Sequence, residues 1–300
     1  MKTLTIITTT YNRAHCLHQV YESLKSQDCK DFIWLIIDDG SNDNTQEVVK
    51  QFIAENRIEI QYVYQQNKGM TGARNTAYSL VNTEINTIID SDDWMAEGAV
   101  NRINSFWKAN KRKDIAGIIA LNVDPTGKVI GTKIPEHLKE LKVMDMRVKY
   151  KLKGDKKLIY RSDISRLFPY PEIEGEKFFP PSYKFFQIDQ LYNMLTLNEG
   201  VCVVDYNNDS MSFDKISQYK SCAKGFAIYR NLCSKLSTNH KYTFIQTLHY
   251  ISASIFAGNK RYIQESSHPI LTILLLPLGL LFHTYLKHTK RKALSVPKAI

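Results

Sequence analysis

Apolar positions along the first 125 residues alternate between two periods. Residues 4–8 (LTIIT) and 33–37 (IWLII) are short apolar runs of the kind that suit strands buried on two faces. Between them Leu17, Val20, Tyr21 and Leu24 recur at i, i+3, i+4 and i+7, one stripe of a helix. Val48, Val49, Phe52 and Ile53 form a second stripe, after which Ile58, Ile60, Tyr62 and Tyr64 alternate at period two. A helix is predicted over 71–80, a strand over 85–89, a helix around Ile103, Phe106 and Trp107, and a strand over 115–121. Strands and helices alternating at this spacing predict an α/β fold: a mostly parallel sheet flanked by helices, with right-handed crossovers.

Beyond residue 124 the pattern weakens and lysines become frequent. Strands are expected over 158–160 and 201–204, an aromatic-rich helical stretch lies between them, and helical patterns return over 228–236 and 242–256. The block 270–282 (ILTILLLPLGLLF) carries no charge. As one helix it would reach about 20 Å, short of the roughly 30 Å of a bilayer's hydrocarbon, and Pro277 and Gly279 weaken it further. Apolar residues followed by Lys287, Lys290, Arg291 and Lys292 suit monotopic insertion into an anionic cytoplasmic leaflet, with 269–286 as the membrane-associating segment. A buried helix of a C-terminal subdomain is the competing expectation.

Charge sharpens this division. The net charge of +10 is not spread along the chain: residues 214–300 hold 13 Lys and Arg against two acids, leaving residues 1–213 at −1. A near-neutral body with a basic tail argues against nucleic acid as a partner and for an anionic surface met by the tail. The five cysteines form no CxxC pair and no short Cys/His spacing, so neither a disulfide framework nor a zinc site is indicated and a reducing compartment is expected. The opening MKTLTIITTTYNR is not expected to act as a secretory leader, because its apolar stretch is broken by threonines. The expected location is cytoplasmic, peripheral to the inner face of the cytoplasmic membrane.

In parallel sheets ligands sit outside the carboxyl ends of the strands. Polar residues crowd those ends here: TTTYNR at 8–13, DDGSND at 38–43, QQNKGMTGARN at 65–75 and DSDDW at 90–94. Asp90, Asp92 and Asp93 place three carboxylates within four residues, which raise one another's pKa unless a cation compensates. Mg²⁺ or Mn²⁺ takes one or two carboxylates together with substrate phosphates, so a divalent metal is the economical compensation; a solvated acidic turn is the bland alternative. Asp39, closing the second strand, is placed to accept from a base N–H or a ribose hydroxyl, whereas Gly40, Ser41 and Asp43 read as turn chemistry. Lys68, Gly69, Gly72 and Arg74 combine cations, close backbone approach and the first turn of a helix, all favourable to phosphate. A salt bridge from Arg74 to one of the aspartates is an equally simple reading.

These four segments, in this order and at these separations, resemble the nucleotide-sugar half of family-2 glycosyltransferases with the GT-A fold. The resemblance covers residues 1–125 well and 150–213 loosely. It implies an inverting transfer of a sugar from a nucleoside-diphosphate donor, a UDP-sugar first, with a divalent metal bridging protein and diphosphate. The acceptor it implies is a glycan or lipid-linked glycan in cell-surface polysaccharide synthesis. Carried over residue by residue, Thr9, Tyr11 and Asp39 line the nucleoside, Arg74 of the ARN element and Lys68 lie near the donor, and Asp90, Ser91 and Asp92 match the DxD motif. The resemblance makes Asp92 the first choice of metal ligand, with Asp93 close behind, since the extra aspartate makes the register ambiguous.

The family's general base is an aspartate of an ED-like motif, and this chain has no ED there. Glu176 in GEKFF, 84 residues after Asp92, is the best match. Asp189 in FFQIDQLYNML competes, but it leaves too short a stretch for the helix that normally follows. The expected organisation is a GT-A domain over 1–213, with a nucleotide-sugar half (1–125) and an acceptor half (126–213), and a basic helical extension over 214–300. Two other functions fit parts of the pattern. A nucleotidyltransferase shares such a sheet and metal site but normally has a glycine-rich loop after the first strand, which TTTYNR lacks. A non-catalytic membrane-binding protein would use the tail alone.

Overall fold

A computed structural model describes residues 2–205 and 215–289 and divides the chain into two compact units, residues 1–170 with 184–206 and residues 171–183 with 207–300. The first unit is built on a sheet whose opening strands are β1 (Leu4–Thr10), β2 (Phe32–Asp38), β3 (Ile60–Tyr64) and β4 (Ile85–Ile88). They lie in the order β3-β2-β1-β4 and are all parallel. Helices α1 (Ala14–Lys25), α2 (Thr45–Glu55) and α3 (Gly69–Leu80) make the crossovers. The chain winds outward from β1 to β3 and then returns to β1's other side, so polar residues after all four strands emerge at one end of the sheet.

Burial explains why these segments fold so. All seven residues of β2 are buried, which its unbroken apolar run demands. The predicted stripe on α1 is its buried face, and Tyr21 stacks on Phe52 of α2 with ring centroids 4.1 Å apart, beside Trp34 of β2. Aromatic stacking of this kind adds about 0.5–1.5 kcal/mol per pair to the area term.

Past β4 the sheet is mixed. The remaining strands are β5 (Asp93–Met95), β6 (Ile115–Val123), β7 (Glu140–Leu141), β8 (Lys156–Arg161) and β9 (Asn193–Val204), with α4 (Ala99–Asn110) between β5 and β6. β8 runs antiparallel to β4 and β6, β9 is parallel to β6, and β5 and β7 are antiparallel to β9. Parallel pairing is therefore unbroken in the first half of the sheet and survives only between β6 and β9 in the second. Strand β9 is longer than the 201–204 read from the sequence, because register shifts against β6 near Leu121 interrupt the alternation that would have revealed it. Short helices α5 (Val143–Val148), α6 (Ser162–Leu167) and α7 (Ser182–Ile188) occupy the stretch where the pattern was weak.

The second unit is helical: α8 (Lys215–Ser221), α9 (Ala223–Leu236), α10 (His240–Phe256), α11 (Pro269–Leu274) and α12 (Leu276–His288). α10 packs against α9 and α12. The apolar block expected as one helix is two, divided at Leu275, because Pro277 has no N–H to continue the ladder. No helix among the described residues is long and apolar enough to cross a membrane. The segment carrying Glu176 groups with these helices rather than with the sheet unit in which the 1–213 boundary would place it. Lys290, Arg291, Lys292 and the expected boundary at 213–214 lie outside the described residues.

Candidate active site

The loops after β1, β2 and β3 are stitched into one surface by side chains. Asn12, at φ 54°, turns the chain after β1; asparagine tolerates this left-handed geometry, and its Oδ1 accepts from the Asn42 backbone at 2.7 Å. Its own N–H donates to Ser41 Oγ, and Asp43 accepts from the Ala14 N–H. Gly40 sits at φ 86° with room for no Cβ, which would stand 2.9 Å from the Asn67 nitrogen. Asp38 is consumed by this framework: its carboxylate accepts from the Ser41 N–H and from Tyr62 Oη, both within 2.8 Å.

Asp39 is different. It is buried, and one oxygen, Oδ1, accepts from both Gln65 Nε2 (2.7 Å) and the Lys68 N–H (2.8 Å), while Oδ2 is left to take a further donor. Its backbone is fixed as well, donating to the Thr10 carbonyl and accepting from Asn67 Nδ2. The residues bonded to it carry buried polar atoms with no partner in the protein, Thr10 Oγ1, Gln65 Oε1 and Asn67 Oδ1, and on α3 Thr71 Oγ1 and Arg74 Nε are likewise unmatched. Each unmade bond in a buried place costs roughly 1–3 kcal/mol, so several together mark a surface shaped for a ligand's hydrogen-bonding groups. Thr9, by contrast, points to the opposite face from Thr8 and Thr10, and Tyr11 is exposed. The sequence reading selected Thr9 and passed over Thr10, Gln65, Asn67 and Thr71; strand alternation from the buried Thr8 would have found Thr10.

Arg74 lies on the second turn of α3 rather than the first, because the helix begins at Gly69. Its guanidinium donates to Asp90 Oδ1 at 3.0 Å, so the salt bridge foreseen as an alternative is present. Desolvation alone would raise the Asp90 carboxyl, but the charges of Arg74, Lys157 and Arg13 outweigh it and hold it below its ordinary value. Behind Arg74 the fully buried Lys184 of α7 places its ammonium 3.3 Å from the centroid of the Tyr78 ring and donates to the Ser165 carbonyl. Burial, then the neighbouring Arg74 charge, pushes that amine well below its usual range. Lys68 is exposed at the head of the same helix.

The acidic cluster after β4 is met by three cations. Arg13 binds Asp92 at 2.8 Å, Arg74 binds Asp90, and Lys157 of β8 lies 4.0 Å from Asp93 while donating to the Ile88 carbonyl. Side-chain exposure separates the three aspartates, at 56% for Asp90, 37% for Asp92 and 13% for Asp93. Enclosure pushes the Asp93 carboxyl up to about 7 despite Lys157, with Asp90 and Asp92 adding to the rise. Ser91 is buried between them. No group of three or more His, Cys, Asp or Glu among the described residues is arranged to hold a metal unaided. Two half-open carboxylates nevertheless fit Mg²⁺ or Mn²⁺, which completes its shell with water and substrate phosphate.

Both expected bases cap helices. Asp189 is 1% exposed and accepts the Val143 and Met144 N–H groups at the start of α5, at 3.0 and 2.7 Å. Burial raises its carboxyl to about 6, but enclosure keeps it from an acceptor hydroxyl, and Asp189 is corrected to a structural cap. Glu176 accepts from the Lys224 and Gly225 N–H groups at the start of α9, one on each oxygen and both at 2.8 Å, while remaining partly exposed. A carboxylate has about four acceptor sites, so lone pairs remain on each oxygen. A cavity of about 480 Å³ lined by Glu84, Trp107, Lys111 and Arg161 lies elsewhere, at the amino ends of β4 and β6, with Lys111 and Arg161 already paired to acids.

Residues 5–165 match the family model described as Glycosyl transferase family 2. A Campylobacter jejuni protein, GalNAc(5)-diNAcBac-PP-undecaprenol beta-1,3-glucosyltransferase, is 33% identical over 113 residues, which is 37% of this chain and 36% of that one. The matched stretch spans only 14–36% of the length of the first curated relatives. Among solved structures, Staphylococcus aureus TarS 1-349 in complex with UDP superimposes with a TM-score of 0.58 at 16% identity, over 96% of this chain and 90% of that one. A mannosyltransferase from Pyrobaculum calidifontis in complex with GDP-Man and Mn²⁺ gives 0.55 at 15% identity, over 95% and 84%.

Proposed function

The chain belongs to glycosyl transferase family 2 and has the GT-A fold, and from that premise we propose that it transfers a sugar from a nucleoside-diphosphate sugar, a UDP-sugar, to a glycan or lipid-linked acceptor with inversion at the anomeric carbon. The ring of unpartnered polar atoms about Asp39 carries this reading. Asp39 Oδ2 accepts the N3–H of uracil, and the oxygens of Thr10, Gln65 and Asn67 take the ribose hydroxyls. Tyr11 and Ser91 border the donor, while Thr9 is left on the opposite face of β1.

Arg74 and Lys68 supply positive charge where the diphosphate departs, an electrostatic stabilisation that grows as the bond breaks. Asp92 is the residue proposed to hold a divalent metal, Mn²⁺ or Mg²⁺, while Asp93, 13% exposed, is enclosed against Lys157. When bound, the metal would offset negative charge on the diphosphate; the similar Pyrobaculum structure, in complex with GDP-Man and Mn²⁺, supports that choice. Glu176, from its place 84 residues after Asp92, is the base that accepts the hydroxyl proton, steadied by the N–H groups of α9.

The undecaprenol-linked substrate in the Campylobacter relative's name supports an acceptor at the membrane. We place the reaction at the inner face of the cytoplasmic membrane, with an anionic lipid surface and not nucleic acid as the macromolecular partner. Mass spectrometry after incubation with UDP-sugars tests the chemistry. Donor hydrolysis or transfer is expected. Pyrophosphate release from nucleoside triphosphates would instead identify a nucleotidyltransferase, and inertness toward both would leave a binding protein.

A further inference from the structure

The helical unit has an aromatic and alanine core, with Tyr219, Ala227, Tyr250 and Ala253 buried together, yet it also buries many hydroxyls and turns large apolar side chains outward. α10 turns Thr243, Gln246, Thr247, Ser252 and Ser254 inward while Phe244 and Ile245 face out. Hydroxyls join the buried contacts: Ser234 with Thr247 at 3.1 Å, and Ser266 with Thr272 at 2.7 Å. Gly279 of α12 meets α10 so closely that a Cβ would stand 2.6 Å from Ile251 Cγ2. The outer face of α11 and α12 carries Ile270, Leu274, Leu278, Leu281 and Tyr285, between 49 and 77% exposed.

A helix pair folded for water does the reverse, burying leucine and isoleucine and showing serine and threonine. Hydrocarbon removes that drive, and helices there meet through small and hydroxyl residues with apolar side chains outward. An exposed apolar ridge of this size is also rare on a monomer that meets only water. Charge decides what covers it. Residues 266–300 contain no acid, and Lys287 on α12 is followed in sequence by Lys290, Arg291 and Lys292. A second copy would bring the same positive charge, whereas anionic lipid complements it. Six- and thirteen-residue helices are too short to span, so the ridge lies in one leaflet.

We propose that α11 and α12 form a monotopic wedge whose leucine face is covered by the acyl chains of an anionic bilayer, anchoring the enzyme where a lipid-linked acceptor is presented. The inference rests on the membrane location proposed above and not on the donor chemistry. Co-sedimentation of the full chain with phosphatidylcholine vesicles, with and without phosphatidylglycerol, tests it. The wild type is expected to pellet with the anionic vesicles. Leu274→Gln with Leu281→Gln should weaken that binding about a hundredfold, while Leu191→Gln, equally exposed but in the sheet unit, should not. Circular dichroism and UDP binding by the double variant check that the fold and donor site persist.

A wild type that stays in the supernatant with both vesicles overturns the proposal, as does a double variant that pellets undiminished. So does a wild type that forms a concentration-dependent dimer without binding vesicles, since a second copy would then be the occupant. Donor hydrolysis measured on the same samples reports separately on the transferase reading.

Discussion

Replacing Asp39 by asparagine inverts one hydrogen-bonding position while leaving the rest of the site in place. Oδ1 must remain an oxygen, because the Lys68 N–H, 2.8 Å away, can only donate. The new amide nitrogen is therefore forced to the Oδ2 side, where a donor now faces the N3–H of uracil. The lost charge-assisted bond is worth about 1.5–3 kcal/mol, and two opposed donors add desolvation of the order of 1 kcal/mol. Together they predict UDP binding weakened by about two to three orders of magnitude. Cytosine presents an acceptor at N3, so Asp39→Asn should bind CDP better than the parent does and narrow or reverse the preference. Titration calorimetry with UDP and CDP on both proteins, with a melting curve to show that the variant is folded, measures both effects. A folded variant that binds UDP as the parent does, or loses both nucleotides equally, would refute the placement of the base at Asp39.

Asp92→Ala should abolish metal-stimulated turnover and weaken Mn²⁺ binding measured by calorimetry in the presence of UDP, with the melting temperature nearly unchanged because the Arg13 pair is partly exposed; undiminished activity in the presence of chelator would remove the metal from the site. Glu176→Gln keeps one of the two acceptors at the start of α9 and turns a donor toward the other N–H, so it should cost some melting temperature and lower kcat by about two to four orders of magnitude with little change in donor KM; a lowered melting temperature with kcat intact would reduce Glu176 to a cap. Burial and then the charge of Arg230 hold the His249 imidazole down at about 4, so below the unfolded value of 6.5 the unfolded chain binds the extra proton. The helical unit should accordingly lose about 3 kcal/mol as pH falls from 6.5 to 4, and His249→Phe, filling the space beside Tyr219 and Phe282, should flatten that part of the stability–pH curve.

The nucleotide-binding half was legible because it is written in regular periods. Strands β1, β2 and β4 are apolar runs ending in polar clusters, and each cluster falls at the carboxyl end of its strand. Legibility failed where tertiary contacts decide. Lys157 and Lys184 look like solvated lysines in a basic stretch, yet one lies against Asp93 and the other over Tyr78. Asp189 read as a free acid because nothing in FFQIDQLYNML announces that the start of α5, some 45 residues earlier, needs a cap. The hydroxyls buried by α10 were equally invisible: its sequence shows a helix, and only packing shows that Thr247, Ser252 and Ser254 lie inside beside Tyr250 and Ile251.

Strand β5 begins at Asp93 and is hydrogen-bonded to β9, and the Asp93 N–H closes the preceding turn on the Asp90 carbonyl. The carboxylates proposed to face the diphosphate are thus held in a short turn between two strands of the sheet. Little conformational freedom remains to be surrendered there on binding, which favours fast, shallow-barrier capture of the diphosphate. A substitution that loosens the β5–β9 ladder at Trp94 or Met95, touching no ligand, would be felt as slower association rather than altered selectivity.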